Sequence, residues 1–142
     1  MLVSQILKEK GDMVFTASPS ETVAAAAALL HARRVGAMVV LDEGEEVVGI
    51  VSERDIVRVV AEKGAEALTL KVADCMTRDV VFASPQETVD SLLGRMTDRR
   101  IRHLPVLKDG RLIGIISIGD LVKSKIAETV AEAETLKAYI SA

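Results

Sequence analysis

Two tetrads have the residue types and spacing for ligand chemistry: Ser52-Glu53-Arg54-Asp55 and Ser117-Ile118-Gly119-Asp120. Each follows an apolar run, Val47-Val48-Gly49-Ile50-Val51 or Leu112-Ile113-Gly114-Ile115-Ile116, of the kind that forms a buried strand. Each opens a stretch with helical spacing, so the serine falls at the N-cap and the aspartate in the first turn. A strand that turns straight into a helix aims the first free N–H groups and the serine hydroxyl at one point, which suits an anion such as phosphate. The aspartate is placed to accept hydrogen bonds from hydroxyls such as those of a ribose. A plainer reading also fits, because serine caps helices and aspartate favours the first turn without any ligand. The duplication, with the strand intact both times, favours the ligand reading.

The elements that must position these turns are themselves written twice. Ser84-Pro85-Gln86-Glu87-Thr88-Val89 repeats Ser18-Pro19-Ser20-Glu21-Thr22-Val23 at an offset of 66 (84 − 18). Val89, Leu92, Leu93 and Met96 then follow Val23, Ala26, Ala27 and Leu30, and Arg99-Arg100 follows Arg33-Arg34. A one-residue deletion in the hairpin turn brings Ser117 and Asp120 onto Ser52 and Asp55 at an offset of 65 (117 − 52). The pattern predicts a strand at Val14–Thr16 and a helix capped by Ser18, with Pro19 in its first turn and Gly36 as its stop. Strands at 37–41 and 47–51 and a helix from about Glu53 to Glu62, carrying Ile56, Val57, Val59 and Val60, complete the unit. A short helical face at 2–9 precedes the first copy. Pro105 inside a strand points to an edge or a bulge. An internal repeat decides the fold. Two copies are too few for a solenoid, so the expected fold is α+β, two pseudo-symmetric β-α-β-β-α units packed sheet to sheet. The division is 1–64 for the first unit, 65–79 for a linker and leading segment, and 80–142 for the second unit with an extended C-terminal helix.

Composition bounds the function. The chain has 142 residues, 49% of them hydrophobic, with two Phe, one Tyr and no Trp. That supports an aliphatic core and offers no base-stacking platform for single-stranded nucleic acid. A net charge of −3 leaves no electrostatic footprint for DNA or RNA. The lone Cys75 excludes an internal disulfide and a multi-cysteine zinc site, and reads as a small buried residue. No metal cluster, P-loop or Cys–His or Ser–His pair is recognisable, so neither catalytic nor metal-binding residues are expected. No signal segment or bilayer-spanning run is evident, and the expected location is cytoplasmic.

The tandem units, each ending in Gly-apolar-apolar-Ser-x-x-Asp, resemble the cystathionine-β-synthase (CBS) domain pair, or Bateman module. The likeness covers about Leu2 to Lys125 and includes Met76-Thr77, Ser52-Glu53-Arg54-Asp55 and Arg102-His103-Leu104-Pro105-Val106, which look like stand-alone bacterial members. It implies a regulatory fold that binds adenosine-containing ligands (AMP, ATP, NAD(H) or S-adenosylmethionine) in clefts between the units, with no catalytic cofactor. It also implies association in pairs, here a homodimer. Carried onto this chain, it places ribose carboxylates at Asp55 and Asp120, and Ser52 and Ser117 beside phosphate or ribose. Arg102 and His103 face the phosphate in the second cleft, with Leu104, Ile118 and Gly119 alongside. The matching first-copy positions, Gly36 and Ala37, are neutral, so the resemblance implies unequal sites and a phosphorylated ligand near Asp120. Arg54, which stands where the second copy has Gly119, could supply charge to the first cleft. Lys10-Gly11-Asp12 and Met76-Thr77-Arg78 would run along the adenine.

Two further features bear on function. His31 sits in the first helix with no matching ligand residue and reads as part of a solvated face. The tail from Lys123 to Tyr139 extends the last helix, and Val122, Ile126, Val130, Ala133, Leu136 and Ile140 share a face that must be buried on something. That face packs either on its own module or on a dimer mate or effector protein. The leading expectation is a nucleotide-sensing regulator that is not an enzyme and signals through conformation or assembly to an unknown effector. The alternative is an interaction adaptor with vestigial clefts.

Overall fold

A computed structural model describes residues 1–11 and 14–141. In chain order the elements are α1 (Val3–Lys10), β1 (Thr16–Ala17), α2 (Val23–Arg33), β2 (Ala37–Leu41), β3 (Val47–Ser52) and α3 (Glu53–Lys63). A 3₁₀ helix (Gly64–Thr69), α4 (Val72–Cys75), α5 (Val89–Arg99), β4 (His103–Lys108), β5 (Arg111–Ser117) and α6 (Ile118–Ser141) follow. The fold is α+β, and the chain divides into two compact units, Met13–Val81 and Met1–Asp12 with Phe82–Ala142.

These units are cut differently from the division at 64 and 79 read from the repeat. The reason is local. In the Met13–Val81 unit the N–H groups of Val72 and Ala73 donate to the carbonyls of Glu21 and Pro19, at 2.8 and 3.0 Å, and Val23 donates to Leu70 at 2.8 Å. In the other unit the N–H groups of Val3 and Ser4 donate to Glu87 and Pro85, both at 2.9 Å, and Val89 donates to Met1 at 3.0 Å. Each copy of the repeat is thus completed by the segment that precedes the other copy. Residues 65–79 are therefore structured rather than a plain linker, and Ala67, Val72 and Cys75 belong to the core of their unit.

In the Met13–Val81 unit β1 runs parallel to β2, and β2 pairs antiparallel with β3. Val23, Ala26 and Leu30 turn one face of α2 to the core, where Met38, Val40 and Val51 from the sheet are almost wholly buried. The second copy keeps the β4–β5 hairpin but reduces its first strand to a single bridge, Ala83 to Val106. Ala83 donates to Pro105 and accepts from Leu107, at 2.9 and 3.0 Å. The next rung would need an N–H from residue 105, which proline lacks, so the ladder stops there.

Four local expectations are corrected. Thr22 and Thr88, not Ser18, cap their helices, accepting from the N–H of Ala25 and Ser91 at 3.1 Å each. Ser18 and Ser84 instead donate their N–H to Glu21 and Glu87, which ties down the turn ahead of each cap. The left-handed residues that end α2 and α5 are Arg34 (φ 55°) and Arg100 (φ 54°), so Gly36 is not the stop. The strand expected at 14–16 is confined to Thr16–Ala17. Val57 and Val60, expected on the apolar face of α3, are exposed, while Asp55 is buried.

Candidate functional site

Both tetrads close as capping boxes, and the same oxygen of each aspartate does the work. Asp55 Oδ2 accepts from the Ser52 N–H at 3.0 Å while the Asp55 N–H donates to Ser52 Oγ at 3.2 Å. Asp120 Oδ2 accepts from the Ser117 N–H at 2.9 Å, and the Asp120 N–H donates to Ser117 Oγ at 3.1 Å. The strand-to-helix turn is therefore self-capped in both copies. What separates them is the second carboxylate oxygen.

Asp55 Oδ1 accepts from Arg58 Nη1 at 3.1 Å and from Thr77 Oγ1 at 3.2 Å, and the residue is 3% exposed. Arg58 spans onward to the Cys75 carbonyl at 3.0 Å. Asp55 is thus a knot between α3 and the segment after α4, saturated by its own chain. Thr77, which the resemblance places along the adenine, bonds Asp55 instead of being left to a ligand, and the sole sequence trace of Arg58 is a basic residue three after the aspartate.

Asp120 is in a different state. Lys10 Nζ donates to its Oδ2 at 2.6 Å and to the Ile115 carbonyl at 3.0 Å. Among the described residues no group bonds to its Oδ1, and its side chain is 24% exposed. Burial alone would push the Asp120 carboxyl up. The Lys10 hydrogen bond, then those with Ser117 and the Lys10 charge, outweigh it and hold the carboxyl below its ordinary value. One carboxylate oxygen of this turn is thus committed, and the ionised group keeps a second oxygen that no described residue bonds.

The hairpin brings further expected residues to the same turn. His103 pairs with Ser117 across the β4–β5 ladder, and the Arg102 carbonyl accepts from the Ile118 N–H at 2.8 Å. Arg102, Ile118 and Gly119 are exposed, whereas the Leu104 side chain is wholly buried and can offer only its backbone. In the first copy Ala37 pairs with Ser52, and the Gly36 carbonyl accepts from the Glu53 N–H at 3.0 Å, so the repeat holds to the level of single bonds. Arg54 is exposed at that turn.

The glycines ahead of each tetrad make room for a crossing segment. A Cβ on Gly49 would lie 2.6 Å from Met76 Sδ and 2.9 Å from the Thr77 carbonyl, and one on Gly114 would lie 2.6 Å from Leu7 Cδ2. Thr77 and Ile50 exchange both backbone bonds, at 2.8 and 2.9 Å, across that gap. Met76 and Thr77 therefore lie directly over Gly49. Asp12, expected beside Lys10, lies outside the described residues.

Among the described residues no group of three or more His, Cys, Asp and Glu is arranged to hold a metal ion. None of their helices is long and apolar enough to cross a membrane. Cys75 is buried, and its thiol is pushed up by burial and then by the Asp55 charge, against the pull of Arg58.

Two homologous turns, each built as strand, serine cap and first-turn aspartate, define a duplicated α+β fold. The CBS domain model matches residues 6–62 and 72–126, and the chain belongs to the CBS family as a tandem pair. A CBS-domain containing protein from Agrobacterium tumefaciens is similar in structure, with a TM-score of 0.86 and 45% identity, covering 87% of this chain and 92% of that one. A CBS domain protein from Pyrobaculum aerophilum, complexed with AMP, has a TM-score of 0.75 and 27% identity, with 84% and 89% covered. A CBS domain pair in complex with 5′-methylthioadenosine and S-adenosyl-L-methionine has a TM-score of 0.79 and 27% identity, with 90% and 98% covered.

Proposed function

We propose that this chain is a regulatory adenosine-nucleotide-binding module, taking an AMP-, ATP- or NAD(H)-type ligand and passing the signal on through a change of conformation or assembly. The observation that carries the reading is Asp120, an ionised carboxylate with one oxygen locked in the helix cap and the other bonded by no group among the described residues. Relatives complexed with AMP, 5′-methylthioadenosine and S-adenosyl-L-methionine support an adenosine-containing ligand. Arg102, His103, Ser117 and Gly119 surround the same turn and suit a phosphate. Asp55 is the weaker ligand residue, because four hydrogen bonds from its own chain already fill both oxygens. The module is accordingly expected to hold one tightly bound nucleotide per chain. It acts as a sensor rather than an enzyme, in the cytoplasm, as a homodimer that reports to an effector protein.

A ligand shifts such an equilibrium only by its differential affinity for the two states, so binding comes first in any test. Isothermal calorimetry on stripped protein against AMP, ATP, NADH and S-adenosylmethionine should give saturable binding of at least one, lost in Asp120→Ala. No binding by any of the four refutes the reading. An adaptor with vestigial clefts would then take its place. A specific observation favours that alternative: Val122, Ile126, Val130, Leu136, Tyr139 and Ile140 of α6 are all exposed, so the expectation that they pack on their own module is not met.

A further inference from the structure

We infer that α6 pairs with α6 of a second copy of this chain as a short parallel two-stranded coiled coil. The inference deepens the proposed function by naming the surface of its homodimer, and it rests on that part of the reading and not on the ligand. α6 runs for 24 residues, where its counterpart α3 stops after 11. The CBS domain match ends at residue 126, so the rest of the helix lies beyond the matched domain. Every residue from 129 to 141 is exposed, Leu136 and Ile140 at 60% and 73%. A stretch of that length is marginal as an isolated helix in water and draws its stability from packing an apolar face. The face is spaced for another helix. Val122, Ile126, Thr129, Ala133, Leu136 and Ile140 follow one another at alternating steps of four and three, the seam of a heptad repeat.

The residue types choose the partner and its direction. With Ile126 at position a, Ala133 and Ile140 also fall at a, and Val122, Thr129 and Leu136 fall at d. Isoleucine at a with leucine at d favours two parallel strands. The small Ala133 and Thr129 let the two backbones close in the middle of the seam. Glu132 then stands at g and Lys137 at the next e, positions that face each other across a parallel pair. Glu132 of each copy therefore meets Lys137 of the other, on both flanks. Among the described residues neither forms an ion pair within its own chain. Lys125, at the preceding g, is already held by Asp90 at 3.0 Å, and in the parallel pair it faces the uncharged Val130. An antiparallel pair instead sets Glu132 against Glu132 and Lys123 against Lys137, and like charges repel. The parallel pair buries on the order of 1,000 Å², the lower bound for a specific interface, so the dimer dissociates on dilution.

The test is sedimentation equilibrium of the full chain at low salt, over a dilution series reaching about 500 μM. Leu136→Asp puts a carboxylate into the seam at a residue that is exposed in its own fold. It should raise the dimer dissociation constant at least about a hundredfold, since each copy loses a buried leucine. Glu132→Lys and Lys137→Glu each set like charges at both g–e contacts and should weaken the dimer about threefold to tenfold. The double variant restores opposite charges and should return to within about twofold of the parent. A parent dimer indifferent to Leu136→Asp overturns the pairing and leaves a homodimer through another surface. A dimer lost in Leu136→Asp, yet unmoved by the single charge changes or not restored by the double one, overturns the parallel arrangement. A parent monomeric throughout the series overturns the homodimer and the pairing together and assigns the face to a different protein. Calorimetry with AMP on the same samples reads the ligand separately, so its failure is not mistaken for failure of the pairing.

Discussion

Asp55 and Asp120 occupy equivalent positions, yet their replacement by alanine should have opposite consequences. Removing Asp55 costs the N-cap box, about 1 kcal/mol. It also removes the acceptor for Thr77 Oγ1 and Arg58 Nη1 from a residue 3% exposed. Hydrogen bonds to a charged group are worth about 1.5–3 kcal/mol each. Arg58 is 51% exposed at its side chain and re-solvates, and Thr77 is exposed as well. The two bonds together are therefore counted at about 1.5 kcal/mol. Asp55→Ala is thus expected to lose about 2.5 kcal/mol and, at about 3–5 °C per kcal/mol for a chain of this size, about 10 °C in Tm. Asp120→Ala loses the same cap, while its Lys10 partner is partly exposed and adds a few tenths, for a total of about 1–1.5 kcal/mol and about 5 °C. Thermal and urea unfolding followed by circular dichroism read the stability. Calorimetry with AMP reads the site, where Asp120→Ala should abolish binding and Asp55→Ala, assayed well below its Tm, should retain it. Two variants equally stable and equally deficient in AMP binding would refute the division of roles, since Asp55 would then be a ligand carboxylate and not a knot.

Three other outcomes follow from the structure. Gly114→Ala places a Cβ 2.6 Å from Leu7 Cδ2 and should cost about 1–3 kcal/mol by urea denaturation; Gly49→Ala should cost more, because the Thr77 carbonyl at 2.9 Å is backbone and cannot turn aside. Arg34→Gly and Arg100→Gly should each stabilise the chain by up to about 1 kcal/mol, since both arginines sit at left-handed C-caps that favour glycine; a loss of stability would show that the side chain compensates for the strained backbone. Glu87 is held below its ordinary value of 4.5, first by the Arg95 hydrogen bond and despite burial. A carboxyl depressed in the fold contributes stability above its unfolded pKa and loses it as pH falls through the folded one. Glu87→Gln should therefore be about 1 kcal/mol less stable than the parent at pH 7, with the gap closing below pH 4.5; a gap unchanged down to pH 3 would remove the ion pair from the acid response.

Much of the architecture was legible because it is written twice in local code. The runs before Ser52 and Ser117, the helical spacing after them and the 66-residue offset between Ser18 and Ser84 are short-range patterns, and short-range hydrogen bonding follows them. The Ser-x-x-Asp capping box was readable for the same reason, since its donors and acceptors lie within three residues. The helix starts at Thr22 and Thr88 were misplaced because Ser18 with Glu21 forms the same kind of bond one turn too early. Arg34 and Arg100 carry no left-handed signature at all, so only the backbone shows where α2 and α5 stop. Pro105 signalled an interrupted ladder, but not which rung it removes.

What the sequence determined by itself was a duplicated α+β fold and the two turns where a ligand could be held. The tertiary structure decided how the two turns differ. The pairing of Lys10 with Asp120 spans 110 residues and that of Thr77 with Asp55 spans 22, and neither is a function of local propensity. They arise because each copy is completed by the segment that precedes the other, which carries Thr77 to one carboxylate and Lys10 to the other. A carboxylate's capacity for a ligand depends on which of its lone pairs the rest of the chain leaves unused, and that count is settled only when distant segments have packed.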